Sequence, residues 1–139
     1  MSKVINIIIK SFVTLIVVLL SSACPDSDPC IGCGEDINNV NLEISELTAT
    51  DSELKVEGTV SNTGTSIITQ PWYVEGKFYA DNTHTTVIGA TQERQTIPLS
   101  PGETINWELS IQSSDLTISE KEVSDYPNFS VSSIRVYKE

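Results

Sequence analysis

From Val40 onward the chain alternates between apolar and polar residues. Val40, Leu42 and Ile44 are separated by Asn41 and Glu43; Leu54, Val56, Gly58 and Val60 by Lys55, Glu57 and Thr59; Ile105, Trp107, Leu109 and Ile111 by Asn106, Glu108 and Ser110. A period of two keeps one face of a pleated strand in a core and the other in water, whereas on a helix the same residues scatter around the axis. In the clearest strand, Trp72, Val74, Gly76, Phe78 and Ala80 take one side, with Tyr73, Glu75, Lys77 and Tyr79 on the other. Turn-forming residues separate the alternating runs: Asn62-Thr63-Gly64, Asp81-Asn82-Thr83-His84, and Ser100-Pro101-Gly102-Glu103. Val87-Ile88-Gly89-Ala90 returns after the second turn, and Ile97-Pro98-Leu99 leads into the third. A last strand covers Phe129 to Tyr137; its apolar parity slips at Ser132-Ser133, which predicts a bulge or a change of facing sheet. Ser119-Glu120-Lys121-Glu122 fits a capping box and predicts a helix of a turn or two, ended by Pro127.

About seven short strands broken by turns predict an all-β fold, an antiparallel β-sandwich. One sheet cannot hide two tryptophans and the aliphatic rows; two facing sheets can. Trp72, Phe78 and Trp107 are the core candidates.

The first two dozen residues follow other rules. Met1 to Lys10 holds Lys3 and Lys10 and no acid, Phe12 to Leu20 is apolar but for Thr14, and Ser21-Ser22-Ala23 stands directly before Cys24. A basic start, a short apolar stretch and small residues describe a secretory signal peptide over residues 1–23. With the cysteine immediately after, the segment resembles the leader of bacterial lipoproteins, although Leu20 sits one place further from Cys24 than is usual in that family. The resemblance implies that Cys24 carries a diacylglycerol, that a peptidase cuts before it, and that acyl chains hold the protein to a membrane of the bacterial envelope. Several chains on one residue give durable anchoring, where one chain is marginal. An ordinary cleaved signal peptide and an uncleaved anchor over residues 4–23 are the alternatives; Asn6 and Lys10 interrupt the latter.

Removing residues 1–23 leaves 116 residues, enough for one domain. All 19 acids but only six of the eight bases remain, a net charge of −13. Such a field repels nucleic acid and anionic membrane surfaces, since phosphate binding needs a basic stripe that is absent. Residues 24–39 read as a tether: proline, glycine, acids and asparagine, with little that can enter a core. The domain proper is expected over residues 40–139. Asp26 and Asp28 behind the cysteine resemble the export signals of surface lipoproteins in Bacteroidota-like bacteria, so the expected location is an outer membrane, on its periplasmic or surface face.

Cys30-Ile31-Gly32-Cys33 lies inside that tether. Outside the cytoplasm a closely spaced pair is most simply a disulfide, although so tight a loop removes little entropy from the unfolded chain. A thiol-redox pair, a link between two chains, and half of a zinc site are the alternatives. A redox motif sits at the head of a helix, and a zinc site needs ligands beyond distant His84.

No nucleophile elbow, H-E-x-x-H, phosphate-cradling glycine loop or calcium loop is present, and His84 stands in a predicted turn. Asp26-Ser27-Asp28 and Glu35-Asp36 are acidic enough for calcium, but solvated charge accounts for them as well. The strand acids Glu43, Glu57, Glu75 and Glu108 are expected to point outward. A hydrolase built on paired carboxylates is a third reading, since such pairs meet only in space. No catalytic residue, metal or cofactor is assigned. The candidate binding surface is the face carrying Tyr73, Lys77 and Tyr79, two aromatic rings and a cation in register that suit a protein or glycan. Ordinary cross-strand packing explains the same residues.

Val56-Glu57-Gly58-Thr59-Val60-Ser61-Asn62, Lys77-Phe78-Tyr79-Ala80-Asp81, Val87-Ile88-Gly89 and Leu99-Ser100-Pro101-Gly102-Glu103 occur in an order similar to the FxLYD-type domains of bacterial exported proteins. The eponymous motif here is Phe78-Tyr79-Ala80-Asp81, one residue short and without the leucine. The resemblance spans most of residues 41–139 and implies an immunoglobulin-like sandwich without catalytic residues. Together these readings predict a membrane-anchored binding or assembly module with a protein or glycan partner. The alternative is an extracytoplasmic thiol-redox protein using Cys30 and Cys33.

Overall fold

The structure, a computed structural model, describes residues 34–139. Two antiparallel sheets face one another. One holds strands β1 (Glu35–Asp36), β7 (Ser130–Lys138), β4 (Trp72–Tyr79) and β5 (Val87–Gln95) in the order β1-β7-β4-β5. The other holds β2 (Val40–Ala49), β3 (Leu54–Asn62) and β6 (Thr104–Ile111) in the order β2-β3-β6. The fold is an immunoglobulin-like β-sandwich; the alternation accounts for the two facing sheets.

β3 shows why. Leu54, Val56 and Val60 are fully buried, and the register pairs Leu54 with Ile111, Val56 with Leu109 and Gly58 with Trp107, so one face of two strands forms a continuous apolar wall. Trp72, Val74 and Phe78 from β4 close on that wall with Ile88, Val131 and Val136. All three core candidates are confirmed, with Trp72 and Phe78 at 0% exposure and Trp107 at 2%.

The parity slip in the last strand is a bulge. Lys77 pairs with Ser132 and Glu75 with Arg135, so β7 spends one residue more than β4, and Ser133 takes a left-handed φ of 54°. A second irregularity, between Ile44 and Glu46, breaks the register of edge strand β2. Bulges at sheet margins discourage edge-to-edge pairing with other chains.

Two expectations need correction. Residues 34–39 are not tether: β1 pairs with Tyr137 and Lys138, Ile37 N–H donates to the Val136 carbonyl at 2.8 Å, and Ile37 packs on the core. Backbone pairing, which composition does not report, brings this polar stretch onto the sheet. The expected helix at Ser119–Glu122 does not form either. Glu120 has a φ of 66°, and the helical turn instead covers Val123–Asp125, where Asp125 Oδ2 accepts from Glu122 N–H at 3.2 Å and Val123 is fully buried. Burial of Val123 sets the frame, three residues later than the capping signal.

The strand directions divide the connections between two poles. The β1–β2, β3–β4 and β5–β6 connections share one pole with Gly34 and Glu139; the β2–β3, β4–β5 and β6–β7 connections share the other.

Candidate functional site

β4 is the central strand of its sheet, flanked by β7 and β5, and its outer face carries Tyr73, Glu75, Lys77 and Tyr79. The open aromatic patch expected there is not what these residues form. Tyr73 and Tyr79 keep 8% and 9% of their surface and Glu75 keeps 3%, while Lys77 is half-buried. Long neighbours on both sides shelter the strand. Tyr73 stacks on Tyr137 with ring centres 5.1 Å apart and planes 16° from parallel. Arg135 lies 4.6 Å over the Tyr137 ring and forms ion pairs with Glu75 at 3.1 Å and Asp36 at 3.0 Å. Tyr79 meets His84 at 5.0 Å. Glu75, expected outward, is thus a buried carboxylate held by a guanidinium. Burial pushes the Tyr137 phenol above its usual range, with the nearby Glu75 charge adding to the effect. Tyr137 donates its hydroxyl to Gln92 Oε1, so the face is a packed polar-aromatic network.

The other sheet carries an open cleft of about 360 Å³. Its rim holds four carboxylates: Glu46 on β2, Glu57 on β3, Glu108 on β6 and Glu93 on β5. Glu57 and Glu108 are direct cross-strand partners, an arrangement of like charges that is unfavourable by itself. Lys55 relieves it, reaching Glu57 at 3.2 Å and Glu108 at 3.7 Å, and its bond to Glu57 holds the ammonium above its ordinary pKa. Glu93 Oε2 accepts the Glu108 backbone N–H at 2.9 Å, so an acid from one sheet caps the edge of the other. Gly58 and Trp107 contribute to the lining beneath this rim. A Cβ at Gly58 would stand 2.0 Å from the Glu43 carbonyl and 2.4 Å from Trp107 Cζ2, so only glycine admits the indole there. Such a cleft offers acceptors to a cationic or hydroxyl-rich ligand. Glu57 and Glu108 were legible as outward acids, but their meeting with Glu46 and Glu93 depends on the β2 bulge and the approach of β5 to β6.

Among the described residues no group of three or more histidine, cysteine, aspartate or glutamate side chains is arranged to hold a metal, and no helix is long and apolar enough to cross a membrane. Cys24, Cys30 and Cys33 lie outside the described residues.

No protein-family model matches the chain, and none of the curated proteins does. Among solved structures it is similar to parts of the β-glucosidase from Kluyveromyces marxianus. The selenomethionine-labelled crystal structure is 23% identical over 55% of this chain and 9% of that one, with a TM-score of 0.38. The complex with glucose is 21% identical over 72% of this chain and 14% of that one, with a TM-score of 0.42. The chain therefore spans a small part of the glucosidase's length.

Proposed function

We propose that this protein is an exported bacterial lipoprotein, held to an outer membrane by acyl chains on Cys24, whose immunoglobulin-like domain is a non-catalytic binding or assembly module. The observation that carries this reading is the order of the leader: Lys3 and Lys10, the apolar run Phe12–Leu20, then Ser21-Ser22-Ala23 against Cys24. The cleft edged by Glu46, Glu57, Glu93 and Glu108 supports a binding role, because its acceptors suit a basic segment of a protein or the hydroxyls of a glycan.

Fractionating cells that express wild type and Cys24→Ser tests the anchor. The wild type is expected in membranes, with an intact mass that includes acyl groups, and the variant in the soluble fraction. A variant that stays in membranes, or a wild type without added acyl mass, sinks the reading.

The second reading, a thiol-redox protein, rests on Cys30-Ile31-Gly32-Cys33. Thiol labelling after mild reductant separates the two: a structural disulfide stays unlabelled, whereas a redox pair opens and reacts.

A further inference from the structure

The two most exposed large aliphatic side chains among the described residues are Ile67, at 56%, and Ile97, at 50%. They belong to different loops, β3–β4 and β5–β6, and both loops lie at the pole where Gly34 enters the fold. Burial elsewhere does not account for their exposure, because the backbone beneath them is pinned. Ile68 and Leu99 exchange two backbone hydrogen bonds, each of 3.0 Å, joining the loops. Asn62 Nδ2 donates to the Ser66 carbonyl at 2.8 Å and to the Leu99 carbonyl at 2.9 Å, and Trp72 Nε1 donates to the Ile97 carbonyl at 2.9 Å. The two isoleucines therefore stand out from a rigid tip.

The tip is also uncharged. Residues 63–71 and 96–102 contain no aspartate, glutamate, lysine or arginine. The connections at the opposite pole hold Asp51, Glu53, Asp81, Asp115, Glu120, Glu122 and Asp125 against a single lysine, Lys121. Glu35, Asp36, Glu103, Lys138 and Glu139 border the uncharged tip; Asp36 is engaged by Arg135, and Glu103 Oε2 accepts from Ser100 N–H. Lys138 Nζ also donates to Thr69 Oγ1 within the tip, and an acidic protein near an anionic bilayer is repelled least along its less acidic end.

We propose that this pole is a membrane contact: the loops 63–71 and 96–102 rest on the lipid bilayer, with Ile67 and Ile97 entering the headgroup boundary. The proposal rests on the reading of Cys24 as the anchor. Nine residues separate Cys24 from Gly34, a reach of at most roughly 35 Å at about 3.5 Å per residue, and they join the domain at this pole. The anchor thus delivers the end carrying the two uncharged loops to the bilayer, and two aliphatic side chains add area to a contact that is already intramolecular.

Amide hydrogen exchange on the full lipidated chain, in protein-free vesicles of phosphatidylethanolamine and phosphatidylglycerol, tests the proposal. The reference is the Cys24→Ser chain of residues 24–139, without the leader, in solution. Residues 65–67 and 96–97 are expected to exchange about tenfold more slowly on vesicles, while residues 81–86 at the far pole exchange at the same rate in both. An Ile67→Ser/Ile97→Ser variant is expected to float with the vesicles and keep its urea midpoint, yet lose that slowing. Unchanged loops in the wild type overturn the proposal whether or not the chain floats, and so does slowing confined to the far pole. Slowing that needs added host protein overturns it as well, because the occupant is then a protein. Flotation reports the anchor separately: a Cys24→Ser chain that still floats, with its loops slowed, removes the anchor reading and supports the contact.

Discussion

Asn62 reaches across 37 residues of sequence to donate a hydrogen bond of 2.9 Å to the carbonyl of Leu99. The same amide donates to Ser66, and its Oδ1 accepts from Gly64 N–H at 2.9 Å, all at 2% exposure. One side chain thus closes the β3–β4 loop and ties it to the β5–β6 loop.

Asn62→Ala removes these three side-chain bonds and leaves the Leu99 carbonyl with the Ile68 N–H as its donor. The expected loss is about 2–4 kcal/mol, from roughly 0.5–1.5 for each of the three bonds. Urea unfolding checks it: the midpoint should fall while the slope stays constant. A midpoint near wild type means the loops hold together without Asn62.

Gly58→Ala is expected to cost more than the change of one methyl suggests. The new Cβ would meet the Glu43 carbonyl at 2.0 Å and the Trp107 ring at 2.4 Å, and a paired backbone yields less readily than a side chain. A loss of about 1–3 kcal/mol is expected from overpacking, with an altered tryptophan emission as Trp107 shifts. Gly102→Ala meets no atoms but is strained by a φ of 78°, so a stability loss there with tryptophan emission unchanged is the control.

Arg135→Met leaves the Glu75 carboxylate at 3% exposure without the guanidinium that now stands 3.1 Å away. Fully buried pairs lose about 3–5 kcal/mol when one partner goes; Arg135 is itself 27% exposed, so about 2–3 kcal/mol is expected. Glu75→Gln in the Arg135→Met background should recover part of it. If the double variant is no more stable than Arg135→Met, the ion pair is not what stabilises this face.

Tyr137 sets an alkaline limit. Its folded pKa lies above the ordinary 10.0, so the folded state holds the phenolic proton more tightly than the unfolded chain does. Its contribution is complete below about pH 10 and is lost as pH rises through the folded value. Ultraviolet titration should therefore show a late ionisation from Tyr137, and Tyr137→Phe should remove that late step. A late step that persists in Tyr137→Phe would falsify the assignment.

The alternation made the sandwich legible, because a period of two with β-branched and aromatic residues has one economical solution. The turn at Ser100–Glu103 was equally plain: Gly102 takes a positive φ and Glu103 closes the turn on Ser100. The outer face of β4 was not legible. Tyr73, Glu75 and Tyr79 have the parity of solvent-facing residues, and nothing local tells a central strand with tall neighbours from an edge strand. The cleft was half legible: Glu57 and Glu108 alternate outward, but Glu93 arrives from the other sheet through a contact with a backbone amide.

Residue order alone determined the strand periods, the turn positions, and the apolar wall of Leu54, Val56, Trp107 and Leu109. These depend on near neighbours in the chain, where side-chain parity and backbone preference act directly. Tertiary structure decided that Glu35–Asp36 joins a sheet, that Arg135 shields Glu75, and that two uncharged loops share the pole where Gly34 enters. Each of those outcomes depends on residues dozens of positions apart being brought within bonding distance, which a local pattern does not encode.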